Sequence, residues 1–199
     1  MLINVICRRN DEVIPIDWFN QSIKGNAVCF SGHRPERLPD KGNPNGDDMR
    51  LIRYLLQKKI DNLIFTGIDV FINGFMAGWD ILASLEVISL KDEYPHIRLI
   101  TVAPYAVDYF NHGHFWTDEW IGMAHKVKQH SDLSINISER FHPAVYIAFT
   151  QVLLANSNTM ICYWDGGVGG TEYTVKHAEE KGLQIVNLFE EYTRHFEMN

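Results

Sequence analysis

"TMICYWDGGVGGTEYTVKHAEEKGLQIVNLF", Thr159 to Phe189, decides how this chain folds. It opens with an apolar run, "TMICYW", that reads as a buried strand. Four glycines within five positions follow, Gly166, Gly167, Gly169 and Gly170. A helix-like segment, "GTEYTVKHAEEKG", then closes at Gly182 and leads into a second apolar run. Glycine is poor in strands and helices, so a cluster of it serves a special backbone conformation or a close approach. At the head of a helix, the amides of Gly169, Gly170 and Thr171 would form an anion nest.

The same alternation extends back to Asn26. "NAVCFSG", "DVFING", "IRLITVAP" and "DLSINIS" read as strands. Between them, "NPNGDDMRLIRYLLQKKID" reads as a helix capped by Asp47 or Asp48, and "AGWDILASLEVISLKDEY" as one stopped by Pro95. "HFWTDEWIGMAHKVKQH" is a third, with Trp116 and Trp120 packing from one face. "PAVYIAFTQVLLANS" starts at Pro143 and is apolar nearly all round, as a buried helix would be. Continuously apolar strands alternating with helices predict a mainly parallel sheet covered on both faces. The fold class is therefore α/β, a Rossmann-like three-layer sandwich spanning 27–199. Residues 1–26 stand outside the alternation as a short N-terminal β extension. "INVICRRNDEVIPIDWF" there suits a hairpin turning at Arg9–Asp11, with Pro15 confining its second arm to a sheet edge.

Composition excludes several classes. The chain has 199 residues, 46% of them hydrophobic and 22% charged, which suits one soluble domain with a real core. No apolar run approaches the roughly 18 residues of a membrane helix, so no membrane partner is expected. No basic region precedes the first apolar residues, against a signal peptide. Cys7, Cys29 and Cys162 are scattered and odd in number, which fits reduced thiols in the cytoplasm and no zinc site. His112 and His114, two apart, do not share a helical face, so no metal site and no resident cofactor are expected. A net charge of −7, with no stretch interleaving basic and aromatic residues, argues against nucleic acid as a partner.

In open α/β sheets ligands bind beyond the carboxyl ends of the strands. Three segments fall there. In "SGHRPERL", Ser31 and Gly32 give a sharp exit, while His33, Arg34 and Arg37 supply donors for phosphate oxygens. In "NGFMAGWD", Gly74, Met76, Ala77 and Gly78 bring ligand near backbone, and Asp80 can accept from a ribose hydroxyl. The third is Asp165, Gly166, Gly167, Gly169, Gly170 and Thr171. Pro104 and Tyr105 end a strand at the same edge, where Tyr105 can stack on a base. Neither G-x-G-x-x-G nor the P-loop pattern is present in place, so neither a conventional dehydrogenase nor an NTPase is indicated.

"SGHRPERL", "NGFMAGWDILA" and "DGGVGGTEYTVKHA", in that order, resemble the YpsA-like branch of the SLOG superfamily. That resemblance implies a Rossmann-like fold, self-association into a homo-oligomer, and a small nucleotide-derived ligand whose phosphate meets Gly166 to Thr171. Relatives include phosphoribohydrolases of the LOG type, the DNA-processing protein DprA, and sensors of NAD- or ADP-ribose-derived signals. The hydrolytic relatives carry G-G-x-G-T-x-x-E. Here Thr174 stands three after Thr171, and Glu172 lies two places early, about 200° away around a helix. The leading expectation is a sensor or sequestering protein for an ADP-ribose- or NAD-like ligand. The alternative is an N-glycosidase of the phosphoribohydrolase type acting on a nucleoside monophosphate, with Glu119 or Glu172 as acid or base.

Overall fold

The computed structural model describes residues 7–9, 12–14, 23, 26–106, 108–111 and 113–197. Pro15 and His112 lie outside the described residues. Two short strands, β1 (Cys7–Arg9) and β2 (Glu12–Ile14), pair antiparallel with Arg9 opposite Glu12, and β1 lies against β6. β6 (Leu133–Ser138) is one outer strand of the main sheet. That sheet contains β3 (Ala27–Gly32), β4 (Val70–Asn73), β5 (Arg98–Tyr105), β6, β7 (Thr159–Tyr163) and β8 (Gln184–Asn187). All six are parallel, in the order β6-β5-β4-β3-β7-β8.

The chain walks outward from β3 to β6, crosses back to β7 beside β3, and walks outward again. The point of reversal lies between β3 and β7, where Gly32 pairs with Tyr163 and the two exits stand side by side. β3 and β4 are the central pair, and their apolar residues are shut away from water. Ala27, Val28, Cys29, Phe30, Val70, Phe71 and Ile72 are completely buried. Each large apolar side chain there contributes about 1.5–3 kcal/mol by leaving solvent. Burial also pushes the Cys29 and Cys162 thiols up to about 12, so both are inert apolar fillers.

Among the described residues, six α-helices cover the sheet. α1 (Asp47–Phe65), α2 (Trp79–Leu90), α3 (Asp118–His130) and α6 (Leu188–Glu197) pack side by side as one layer. α4 (Val145–Ala155) and α5 (Gly170–Glu180) pack on each other as the second. No helix among the described residues is long and apolar enough to cross a membrane.

Several local expectations change. Neither Asp47 nor Asp48 caps α1. Asp40 does so from the preceding turn, its Oδ2 accepting the amides of Asp48 at 3.1 Å and Met49 at 3.3 Å. A side chain at Gly46, the N-cap position, would collide with that carboxylate. α2 ends at Leu90, short of Pro95, and Pro143 precedes the first turn of α4. The last apolar run is a four-residue strand that passes directly into α6 at Leu188. Asn187 makes that transition: its Oδ1 accepts the Phe189 amide at 3.2 Å, and its Nδ2 reaches Glu190 at 3.4 Å.

Candidate functional site

A cavity of about 620 Å³ opens at the reversal point. Its walls come from the exit of β3 (Ser31, Gly32, His33, Arg34, Glu36 and Arg37), from Met76 and Asp80, from α4 (Tyr146, Ile147, Phe149 and Thr150), and from α5 (Gly170, Thr171, Tyr173 and Thr174). The three expected segments therefore meet at one place, though not every residue in them faces it.

The β4–α2 loop contributes mainly by construction. Asn73 is buried, donates to Asp80 O at 2.6 Å and accepts from the Gly74 amide at 2.7 Å. Gly74 and Gly78 are not lining residues. A Cβ on Gly74 would lie 2.2 Å from Asp80 Oδ2, and one on Gly78, at φ +96°, would lie 2.5 Å from His33 O. Ala77 is buried beneath them. Gly32 is equally constrained, because the Trp79 side chain occupies the space a Cβ would need. These glycines let backbone and side chains of the protein itself approach. The loop also holds Phe75 at φ +55°, with Tyr109 Oη donating to its carbonyl at 2.7 Å. Met76 and Asp80 remain facing the cavity.

Asp80 is the cavity's buried carboxyl. Burial pushes it up to about 7, against the pull of Arg34 and of the Met76 amide. Arg34 lies over the Phe115 ring, 5.0 Å from its centroid.

The β7–α5 loop is tied to the β3 exit. Arg37 Nη2 donates to Asp165 Oδ1 at 2.6 Å and Nη1 to Val168 O at 3.3 Å. His33 is buried, with Nε2 at 2.8 Å from the same Oδ1 and 3.2 Å from the Asp165 amide. One nitrogen cannot serve both, and the shorter contact fits an Nε2–H donating to the carboxylate. Burial holds His33 below its ordinary pKa, although Asp165 opposes this. Partial burial works against ionisation of Asp165 as well, yet Arg37, the Gly167 amide and His33 hold it well below the carboxylate range.

Gly166 and Gly169 adopt φ of +83° and +151°, conformations that suit glycine. Gly170 is different. It is the first helical residue of α5, and a Cβ there would meet nothing within 4 Å. No contact inside the protein demands glycine at this position, and Gly170 lines the cavity. Gly169 as N-cap offers no side chain, so the Gly170, Thr171 and Glu172 amides find no acceptor among the described residues. Glu172 Oε2 instead accepts the Gly169 amide at 3.3 Å, and its Oε1 takes Lys176 Nζ at 2.6 Å.

Other expected residues stand elsewhere. Glu119 is exposed on the first turn of α3 and does not line the cavity. Tyr105 is 1% exposed, packed edge-on to Tyr109 at 5.1 Å and Phe141 at 5.7 Å, so it has no open face for a base, and Pro104 is buried beside it. α4 is not buried all round: Tyr146 and Ile147 are 39% and 45% exposed where they line the cavity. With Tyr173 they form its apolar side. Among the described residues, no group of three or more His, Cys, Asp and Glu could hold a metal ion.

Residues 28–189 match the model of the YspA SLOG family. The chain belongs to that family. A UPF0398 protein of Latilactobacillus sakei subsp. sakei (strain 23K) is 24% identical over 158 residues, 76% of this chain and 81% of the relative. DNA processing protein A from Streptococcus pneumoniae matches in structure with a TM-score of 0.57 at 12% identity, over 88% of this chain and 57% of its own. The same protein from Helicobacter pylori, solved to describe its single-stranded DNA binding mode, matches with a TM-score of 0.52 at 17% identity, over 80% and 63%. The chain thus spans under two-thirds of either protein. These likenesses establish the Rossmann-like fold. They also correct one expectation: an acidic net charge does not make nucleic acid an improbable partner, because the Helicobacter protein, which shares this fold, binds single-stranded DNA. Net charge sums the whole surface, whereas recognition depends on local groups.

Proposed function

We propose that this SLOG protein binds a phosphate-bearing, nucleotide-derived ligand of the ADP-ribose or NAD type, to sense or sequester it. The observation that carries the reading is the first turn of α5. The amides of Gly170 and Thr171, which find no acceptor among the described residues, belong to residues that line the cavity, and a Cβ on Gly170 would meet only open space. A helix N-terminus favours anions through its amides and dipole. Arg34 offsets phosphate charge, Asp80 pairs with a ribose hydroxyl, and a base lies along Tyr146 and Tyr173.

A second reading, a single-stranded nucleic acid end in the same cavity, is favoured by the aromatic side chains at its rim. Phe141, Tyr146 and Tyr173 are all partly exposed there or beside it, and exposed aromatics serve as base-stacking platforms.

The test is a thermal-shift panel with ADP-ribose, NAD, AMP, CMP, inorganic phosphate and a short oligothymidylate, each mixture then analysed by HPLC. Ligand at about 100 times Kd adds about 2.7 kcal/mol of stability. A shift with ADP-ribose or NAD recovered intact supports the sensor reading. A shift confined to the oligonucleotide replaces it with the second. Release of free base, lost in Asp80→Asn, makes the protein a glycosidase that uses the carboxyl lining the cavity. No shift with any of them removes the phosphate argument.

A further inference from the structure

Arg37 lies across the glycine loop. Its guanidinium grips two points three residues apart, Asp165 Oδ1 at 2.6 Å and Val168 O at 3.3 Å. Gly167 sits between them, and a Cβ there would come within 2.1 Å of Arg37 Nη2. Within the loop, Trp164 Nε1 donates to Gly167 O at 2.8 Å, and the Gly167 amide donates to the same Asp165 Oδ1 at 2.9 Å. Residues 164–168 are thus tied both to Arg37 and to one another, and the loop delivers the chain into the first turn of α5.

We propose that Arg37 is a positioning residue, clasping segment 165–168 in the conformation that leaves the first-turn amides of α5 facing the cavity, and that Gly167 is glycine to admit the guanidinium. A planar fork suits this task. Two donors on one rigid group hold two acceptors at a fixed separation, which an ammonium does not. The glycines of the loop then divide by purpose: Gly167 makes room for Arg37, and Gly170 makes room for ligand. The consequence for binding rests on the phosphate reading given above, whereas the clasp itself requires no ligand.

The experiment measures hydrogen exchange of the Trp164 indole N–H by NMR in the full chain, for wild type, Arg37→Ala, Arg37→Lys, Gly167→Ala and the Arg37→Ala/Gly167→Ala double variant. Each single variant is expected to speed exchange about tenfold, the scale of one lost charge-assisted hydrogen bond. The double variant is expected to be no faster than either Ala variant alone, because both remove the same clasp. Multiplying effects, or an unchanged rate in Arg37→Ala, overturn the proposal. A parallel titration with ADP-ribose separates the readings. Weaker binding in Arg37→Ala with unchanged exchange makes Arg37 a direct phosphate ligand and overturns the clasp. Absence of binding to wild type removes the phosphate reading, and the exchange cycle still decides the clasp.

Discussion

Replacing Asp80 by Asn tests whether the cavity's carboxyl is held out of water. In the folded protein burial raises this group from an ordinary 3.8 to about 7. Unfolded, it ionises freely above pH 4. Between those values the native state binds the extra proton, so stability falls as pH rises, at about 1.4 kcal/mol per pH unit, and levels off above 7. The span from 3.8 to about 7 corresponds to about 4 kcal/mol. Asn removes the titration while its amide oxygen can still accept from the Met76 amide. Urea denaturation at pH 5, 6, 7 and 8 is the assay. Relative to wild type, Asp80→Asn is expected to gain about 2 kcal/mol between pH 5 and 7, and little beyond. Parallel stability curves for the two proteins refute the reasoning, since they require a carboxyl that titrates alike folded and unfolded.

Gly170→Ala is expected to leave the protein as stable or up to about 1 kcal/mol more so, because Ala favours a helix and its Cβ meets nothing, yet to weaken ADP-ribose about tenfold by calorimetry. Gly78→Ala is expected to cost about 2–3 kcal/mol in urea melts, since a Cβ at φ +96° would press on the His33 carbonyl. Tyr109→Phe strips the hydrogen bond from the Phe75 carbonyl and is expected to cost about 1–2 kcal/mol, read from thermal melts.

The alternation of apolar strands with helices was open to reading because burial on both faces writes itself as continuous hydrophobic runs. The meeting of three loops at one edge followed from parallel strands. What each glycine is for was not open in the same way. Gly32, Gly74, Gly78 and Gly167 all lack a side chain where a protein atom stands, whereas Gly170 has open space beside it and lines the cavity. Sequence names the missing Cβ but not its neighbour. Asp40 capping α1 was hidden for a related reason, since it sits eight residues ahead of the amide it serves. α6 did leave a mark: Asn187 followed three residues later by Glu190 is a helix-start pattern, overlooked because no loop separates it from β8. Tyr146 and Ile147 were lost in a helix apolar on every side, where the face that meets the cavity looks like the faces that meet the sheet.

The two loops that frame the cavity are anchored on β3 and β7, strands flanked by partners on either side. Such strands open only in the rarest, nearly complete unfolding events, while outer strands open locally at far lower cost. A ligand seated between the β3 and β7 exits adds its binding free energy to those rare events alone. Amide exchange on β3 and β7 should slow with each increment of ligand, while β6 and β8 exchange as before. Occupancy can therefore be recorded far from the cavity, as a widening gap between the middle of the sheet and its margins.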